Sequence, residues 1–248
     1  MGDVYTAMMR SGNSALLDDP QLQADQTATQ SWQPIAENAL RLSTQPDCKI
    51  IAQFEQVRVK LLKQAAQRRL QIHAFTSTFP GEGRSTCALH LAISFAQLPG
   101  TRVLLIDMDP HSRHKLASHF HGKVTEGFSH FIDNKATALN TITYPTDVQN
   151  LHVMPFGKTR EVASSSELEP PRLNQLLDRC RDLYDHVVID APAVLGPGKG
   201  VQVCQHSDET LIAVALHQTP ADQLQRAQRM LTDQGCQISG VLLTQQSK

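Results

Sequence analysis

The chain has 248 residues, with 23 Lys plus Arg against 24 Asp plus Glu, a formal charge of -1 and 40% hydrophobic residues. That is enough length for one full core or two small ones. The near-neutral balance supplies no global attraction to phosphate, so a nucleic-acid partner is not expected. Five widely spaced cysteines, Cys48, Cys87, Cys180, Cys204 and Cys236, form no CxxC pair and no disulfide framework. They point to a reducing compartment. No apolar run reaches the roughly 18 residues that span a bilayer. The first residues carry acids where a signal peptide needs basic groups. A cytoplasmic location follows as the expectation, with any approach to the membrane made through a partner.

Residues 1–47 hold no lysine, two arginines and six acids, and are rich in Gln, Ser and Thr. This composition predicts a flexible N-terminal tail, with the folded domain spanning 48–248. Val4 to Met9 has the pattern of a short amphipathic helix, which would need a partner surface to persist. Order is expected from about Ile50. Ile51, Phe54, Val57, Leu61 and Leu62 recur at helical spacing with Lys60, Lys63, Arg68 and Arg69 between them. They predict a leading amphipathic helix over 50–69.

From Leu70 strands and helices alternate. Ile72 to Phe75 reads as a strand, Thr86 to Gln97 as a helix, and Arg102 to Asp107 as a strand apolar enough to be covered on both faces. Helices are expected around His114 to Phe120 and Gly127 to Asn134, then a strand at Leu151 to Met154. A helix at Leu173 to Leu183, strands at Val187 to Asp190 and Leu211 to Leu216, a helix at Asp222 to Thr232 and a strand at Ile238 to Leu243 complete the pattern. Alternation of this kind predicts one α/β domain with a mostly parallel sheet.

The most informative stretch is Ser77 to Thr86, which follows a strand and opens a helix. Gly81 and Gly83 allow backbone angles closed to other residues and let amides converge on a phosphate. The helix start adds free amides and a positive dipole end. Ser85 stands where G-x-x-x-x-G-K-[ST] places its magnesium-binding hydroxyl, and Arg84 where the lysine belongs. The first glycine of that pattern is absent. Asp107 and Asp109 close one strand and Asp190 another. Ligands of open α/β sheets sit beyond the carboxyl ends of strands. Strand-end acids there can hold a magnesium ion that bridges phosphate oxygens.

These residues resemble the cytoplasmic kinase domain of bacterial tyrosine kinases of exopolysaccharide synthesis and chain-length control, within the MinD and ParA-like class of P-loop ATPases. The family run T-S-x-x-P-G-E-G-K-[ST] corresponds to Thr76 to Ser85. L-L-I-D-x-D matches Leu104 to Asp109, Y-D-x-V-[IV]-I-D-x-P matches Tyr184 to Pro192, and E-x-x-R-x-x-L matches Glu55 to Leu61. The resemblance implies a P-loop NTPase fold, a doubly wound three-layer α/β/α sandwich. It implies ATP and Mg2+ as cofactors, with Gly81, Glu82, Gly83, Arg84, Ser85 and Thr86 cradling the nucleotide. Ser85, Asp107, Asp109 and Asp190 would hold the metal. Asp107 would orient or activate a tyrosine hydroxyl, and Arg84 and Asp109 would complete the catalytic set. The implied partner is the cytoplasmic part of a membrane polysaccharide chain-length protein, with self-assembly through the Glu55 to Leu61 helix.

Departures from the pattern bear on activity. Arginine keeps the charge of lysine but not its compact geometry. The family's tyrosine-rich C-terminal tail has no counterpart here, because the only tyrosines are Tyr5, Tyr144 and Tyr184. Weak or absent phosphoryl transfer despite binding is therefore expected. Two alternatives remain open: a degenerate nucleotide-binding adaptor of the same assembly, and a MinD or ParA-like spatial-organisation ATPase. The latter is disfavoured by the missing early lysine near Phe79. His111, His114, His119 and His121 cluster without a clear third zinc ligand. Cys87 stands where a helix dipole and Arg84 would lower a thiol pKa, but packing under the loop is the simpler role. Gly196 to Gly200 reads as a mobile loop.

Overall fold

The computed structural model describes residues 39–43, 48–65, 71–111, 116–133, 138–157 and 170–245. Its helices are α1 (Cys48–Ala65), α2 (Arg84–Ala96), α3 (Phe128–Ile132), α4 (Leu139–Ile142), α5 (Pro170–Leu183), α6 (Gly200–Gln205) and α7 (Ala221–Asp233). Its strands are β1 (Arg41–Leu42), β2 (Ile72–Ser77), β3 (Val103–Asp107), β4 (Phe120–His121), β5 (Tyr144–Pro145), β6 (Leu151–Met154), β7 (His186–Asp190), β8 (Glu209–Ala215) and β9 (Ile238–Thr244). A seven-stranded sheet runs in the order β5-β6-β3-β7-β2-β8-β9. All its pairings are parallel except β5 with β6.

Alternation along the central strands divides them between two cores, because successive side chains leave opposite faces of a sheet. Phe75, Leu105, Val188, Leu211 and Ala213 meet Phe54, Leu61, Leu89, Leu91 and Phe95 of α1 and α2. Ala74, Leu104, Ile106, Ile189 and Ile212 meet Leu173, Leu176, Ala227 and Leu231 of α5 and α7. Helices thus cover both faces, which gives the expected doubly wound α/β architecture. At the amino ends of the strands lies a buried polar chain. His73 Nδ1 meets Glu209 Oε1 at 2.5 Å, His73 Nε2 meets His186 Nδ1 at 3.1 Å, and Ser239 donates to Glu209 Oε2 at 2.7 Å.

Several expectations need correction. Residues 39–43 already belong to the fold: Leu40 is buried, and Arg41–Leu42 pairs antiparallel with Phe120–His121. Residues 1–38 and 44–47 of the predicted tail lie outside the described residues, as do 66–70 of the leading helix. The helix expected around His114 to Phe120 is a single 3-10 turn, Ala117–His119, running into extended Phe120. The cross-strand partner at Arg41–Leu42 overrides local propensity there. His114 is outside the described residues. Gly196 to Gly200 is packed rather than loose: a Cβ on Gly198 would lie 2.5 Å from Pro192 Cβ, and one on Gly200 would lie 2.2 Å from the Pro192 carbonyl oxygen. The self-assembly expectation is not among these; in the helix that carries it, Arg58 donates through Nη1 to the Ser94 carbonyl of α2.

Candidate nucleotide site

The loop between β2 and α2 is built by hydrogen bonds that its own residues supply. Ser77 Oγ donates to the Phe79 carbonyl at 2.8 Å. Glu82 accepts from the Phe79 amide through Oε2 at 2.9 Å and from the Thr219 hydroxyl through Oε1. Its buried carboxylate therefore turns into the protein and staples the loop, which leaves the backbone of Glu82 for the expected cradle. Gly81 and Gly83 have φ of 92° and 81°, the left-handed region that glycine enters without strain. Gly83 also lies under the end of β9, where a Cβ would meet Thr244 Cγ2 at 3.2 Å. Thr244 Oγ1 donates to the Glu82 carbonyl at 2.8 Å, so the last strand clamps the loop.

The turn opens onto a cleft of about 420 Å3 walled by Pro80, Gly83, Ser85, Thr86, Asp109 and Thr244, among others. The cleft sits at the amino end of α2, where unsatisfied amides and the helix dipole favour an anion. His111, Ser118 and His119 border it too, and Gln245 joins Thr244 there. Sequence spacing marked His111 and His119 only as a histidine cluster and gave no signal that the five meet here, because they converge from three separate segments.

The strand-end acids do come together. Parallel pairing of β3 with β7 places Asp107 beside Asp190 in register. Asp109 follows one turn on, its amide donating to Asp107 Oδ1 at 3.1 Å. All three are buried. Between them lies Arg84. Its Nε donates to Asp190 Oδ1 at 2.5 Å and its Nη2 to Asp109 Oδ2 at 2.6 Å. The arginine that replaces the pattern's lysine thus folds back onto the acids.

The electrostatics follow from this arrangement. Burial alone would lower the Arg84 pKa, but Asp190 and Asp109 outweigh it and hold the guanidinium above its ordinary value. Burial, then the Asp190 charge, pushes the Asp107 carboxyl well above the usual carboxylate range. Asp190 is also raised by burial, with Arg84 pulling in the opposite direction. Cys87 goes opposite to the sequence suggestion: burial and Asp190 push its thiol up to about 12. A thiol with that pKa is inert at neutral pH.

In this arrangement Arg84 takes part of the acid set that the expected magnesium ion would use. Among the described residues, no group of three His, Cys, Asp or Glu side chains is disposed to hold a metal. One oxygen each of Asp109 and Asp190 is committed to the guanidinium. Of the histidines read as a weak zinc candidate, the described ones, His111, His119 and His121, give no such group either. His111 instead donates its amide to Asp109 Oδ1 at 2.8 Å.

Two of the three tyrosines are structural. Tyr144 Oη receives the Thr125 and Glu126 amides at 3.2 and 3.0 Å. Tyr184 Oη meets His152 Nδ1 at 2.8 Å, and burial raises its pKa. Tyr5 lies outside the described residues. No helix among the described residues is long and apolar enough to cross a membrane.

Comparison with known proteins agrees with the fold. The family described as AAA domain matches residues 70–232, more than half of the chain. The tyrosine-protein kinase CpsD of Streptococcus pneumoniae serotype 4 is 25% identical over 175 residues, covering 71% of this chain and 76% of that protein. The kinase domain of the Escherichia coli tyrosine kinase ETK superposes with a TM-score of 0.71 at 22% identity, covering 79% of this chain and 75% of that one. A ParA family ATPase from Chlorobium tepidum superposes with a TM-score of 0.55 at 21% identity, covering 71% of this chain and 73% of that one. With its glycine-rich loop, its strand-end acids and this match, the chain belongs to the AAA domain family, as a divergent relative of the bacterial tyrosine kinases.

Proposed function

We propose that this chain is an ATP-binding, tyrosine-kinase-like component of exopolysaccharide synthesis or export. It would work beside the cytoplasmic part of a membrane chain-length protein. The carrying observation is the left-handed Gly81–Gly83 turn that opens α2 onto a cleft bordered by Arg84, Ser85, Thr86 and Asp109. Amides at the start of α2 would bind the phosphates, and the Ser85 and Thr86 hydroxyls would orient them. The relatives named as tyrosine-protein kinases support the reaction class, transfer of the ATP γ-phosphoryl to a protein tyrosine.

A second reading, a nucleotide-binding adaptor with little turnover, is favoured by the position of Arg84. A lysine between β and γ oxygens acts as a compact point charge, whereas this guanidinium is engaged by two carboxylates. The cleft wall includes Asp109 but neither Asp107 nor Asp190. Transfer to a hydroxyl at Asp107 would therefore require rearrangement, and a misplacement of about 1 Å costs roughly 100-fold in rate. Calorimetric titration with ATP and ADP, followed by product analysis for ADP and phosphotyrosine, tests both readings. Micromolar-to-millimolar binding with slow turnover is expected. Absence of any binding heat or thermal stabilisation at millimolar nucleotide would remove the nucleotide site altogether.

A further inference from the structure

The guanidinium of Arg84 presents three nitrogens, and two are used. Nε and Nη2 each meet a different carboxylate, from Asp190 and Asp109. Nη1 is buried with no partner, on a side chain only 7% exposed. A buried donor left unmade is costly and calls for an acceptor. The neighbouring surface is the cleft at the amino end of α2, bordered by Arg84 itself together with Gly83 and Ser85. The acceptor suited to a helix N-terminus of 13 residues and a spare guanidinium nitrogen is a phosphate oxygen.

We infer that Arg84 is the resident cation of this site, bridged to Asp109 and Asp190 while its Nη1 binds a nucleotide phosphate, so that a nucleoside diphosphate binds without a divalent metal. This inference rests on the nucleotide-site reading above and extends it. In a metal-dependent site the strand-end acids and the phosphates share a divalent ion. Here the acids already share a fixed monovalent one. A metal entering between them would have to displace two short charge-assisted bonds. The acceptor through which it would begin is Asp190 Oδ2, which is buried and unpartnered.

Two measurements on the full chain separate this inference from the reading beneath it. In the first, Mn2+ alone is titrated into nucleotide-free protein and followed by the EPR signal of the free ion. Wild type is expected to leave that signal unchanged, and Arg84→Lys to gain a Mn2+ site, because the shorter, strongly hydrated ammonium replaces a rigid two-pronged fork by one mobile point charge. Mn2+ binding by the wild type at micromolar concentration would overturn the resident cation whatever happens with nucleotide. In the second, ADP is titrated by calorimetry in excess EDTA and again in millimolar magnesium chloride. Wild-type affinities within about threefold of each other are expected. A gain of about tenfold or more with magnesium would overturn the inference. Exclusion of Mn2+ by the wild type together with no ADP binding in either buffer would refute the nucleotide reading, and with it the phosphate contact of Nη1. Circular dichroism and thermal unfolding of Arg84→Lys establish that it folds, and the wild-type measurements stand without it.

Discussion

Removing Arg84 should unfold this protein far more readily than removing a surface-facing loop cation would. Arg84→Ala leaves Asp109 and Asp190 without their shared counter-ion, in a cluster that already contains Asp107. The exposures involved are small: 7% for the Arg84 side chain, 8% for Asp109 and none for Asp190. Breaking a buried pair by deleting one partner costs about 3–5 kcal/mol, chiefly because the other charge stays buried and uncompensated. For a chain of this size each kcal/mol moves the midpoint by about 2–4 °C, so a loss of roughly 10 °C is expected at pH 7.5. The sign of the pH dependence is specific. Without the guanidinium Asp107 and Asp190, already raised by burial, lose the charge that pulls their pKa values down, so their folded values move further above the unfolded ones. The variant therefore keeps its stability at low pH and loses it as pH rises toward the folded values. The gap from wild type should shrink between pH 7.5 and pH 5, and Asp109→Asn in the same chain should recover part of it. Urea unfolding at the two pH values reads this directly. A loss below about 1 kcal/mol at pH 7.5, or a gap that widens on acidification, would mean that Arg84 is not held by these acids.

Asp107→Asn should raise stability at neutral pH. Burial and Asp190 raise the Asp107 pKa, so its contribution is complete below about pH 4 and declines as pH rises toward the folded value. Thermal midpoints measured from pH 4 to 8 should flatten in the variant. Gly83→Ala must hold alanine at φ 81° against Thr244, a backbone cost of about 1–2 kcal/mol, and calorimetry should show nucleotide binding lost before folding is. Mass spectrometry of ATP-treated protein should find no phosphate on Tyr144 or Tyr184, whose hydroxyls are engaged within the fold. Arg58→Glu should destabilise the α1–α2 contact, because it puts a carboxylate against the Ser94 carbonyl. Light scattering together with melting curves will separate that effect from any change in self-association.

Much of this fold was legible in the chain because its central strands are buried on both faces and so must be continuously apolar. Val103 to Asp107 and His186 to Asp190 announce themselves, and the strand-end acids and Gly81–Gly83 turn follow from local spacing. The short pieces were not legible. Phe120–His121 is a strand only because Arg41–Leu42, some eighty residues earlier, supplies its partner. The start of Gly200–Gln205 must be glycine only because the Pro192 carbonyl oxygen would lie 2.2 Å from a Cβ there. The inward turn of Arg58 depends on α2 lying beneath it. Above all, a motif can say that Arg84 stands at the phosphate position, but not which partner it takes. That choice was made by the register of β3 against β7, which brings Asp107 and Asp190 side by side. It was made also by the turn that adds Asp109, because a buried cation goes to the nearest pair of buried carboxylates.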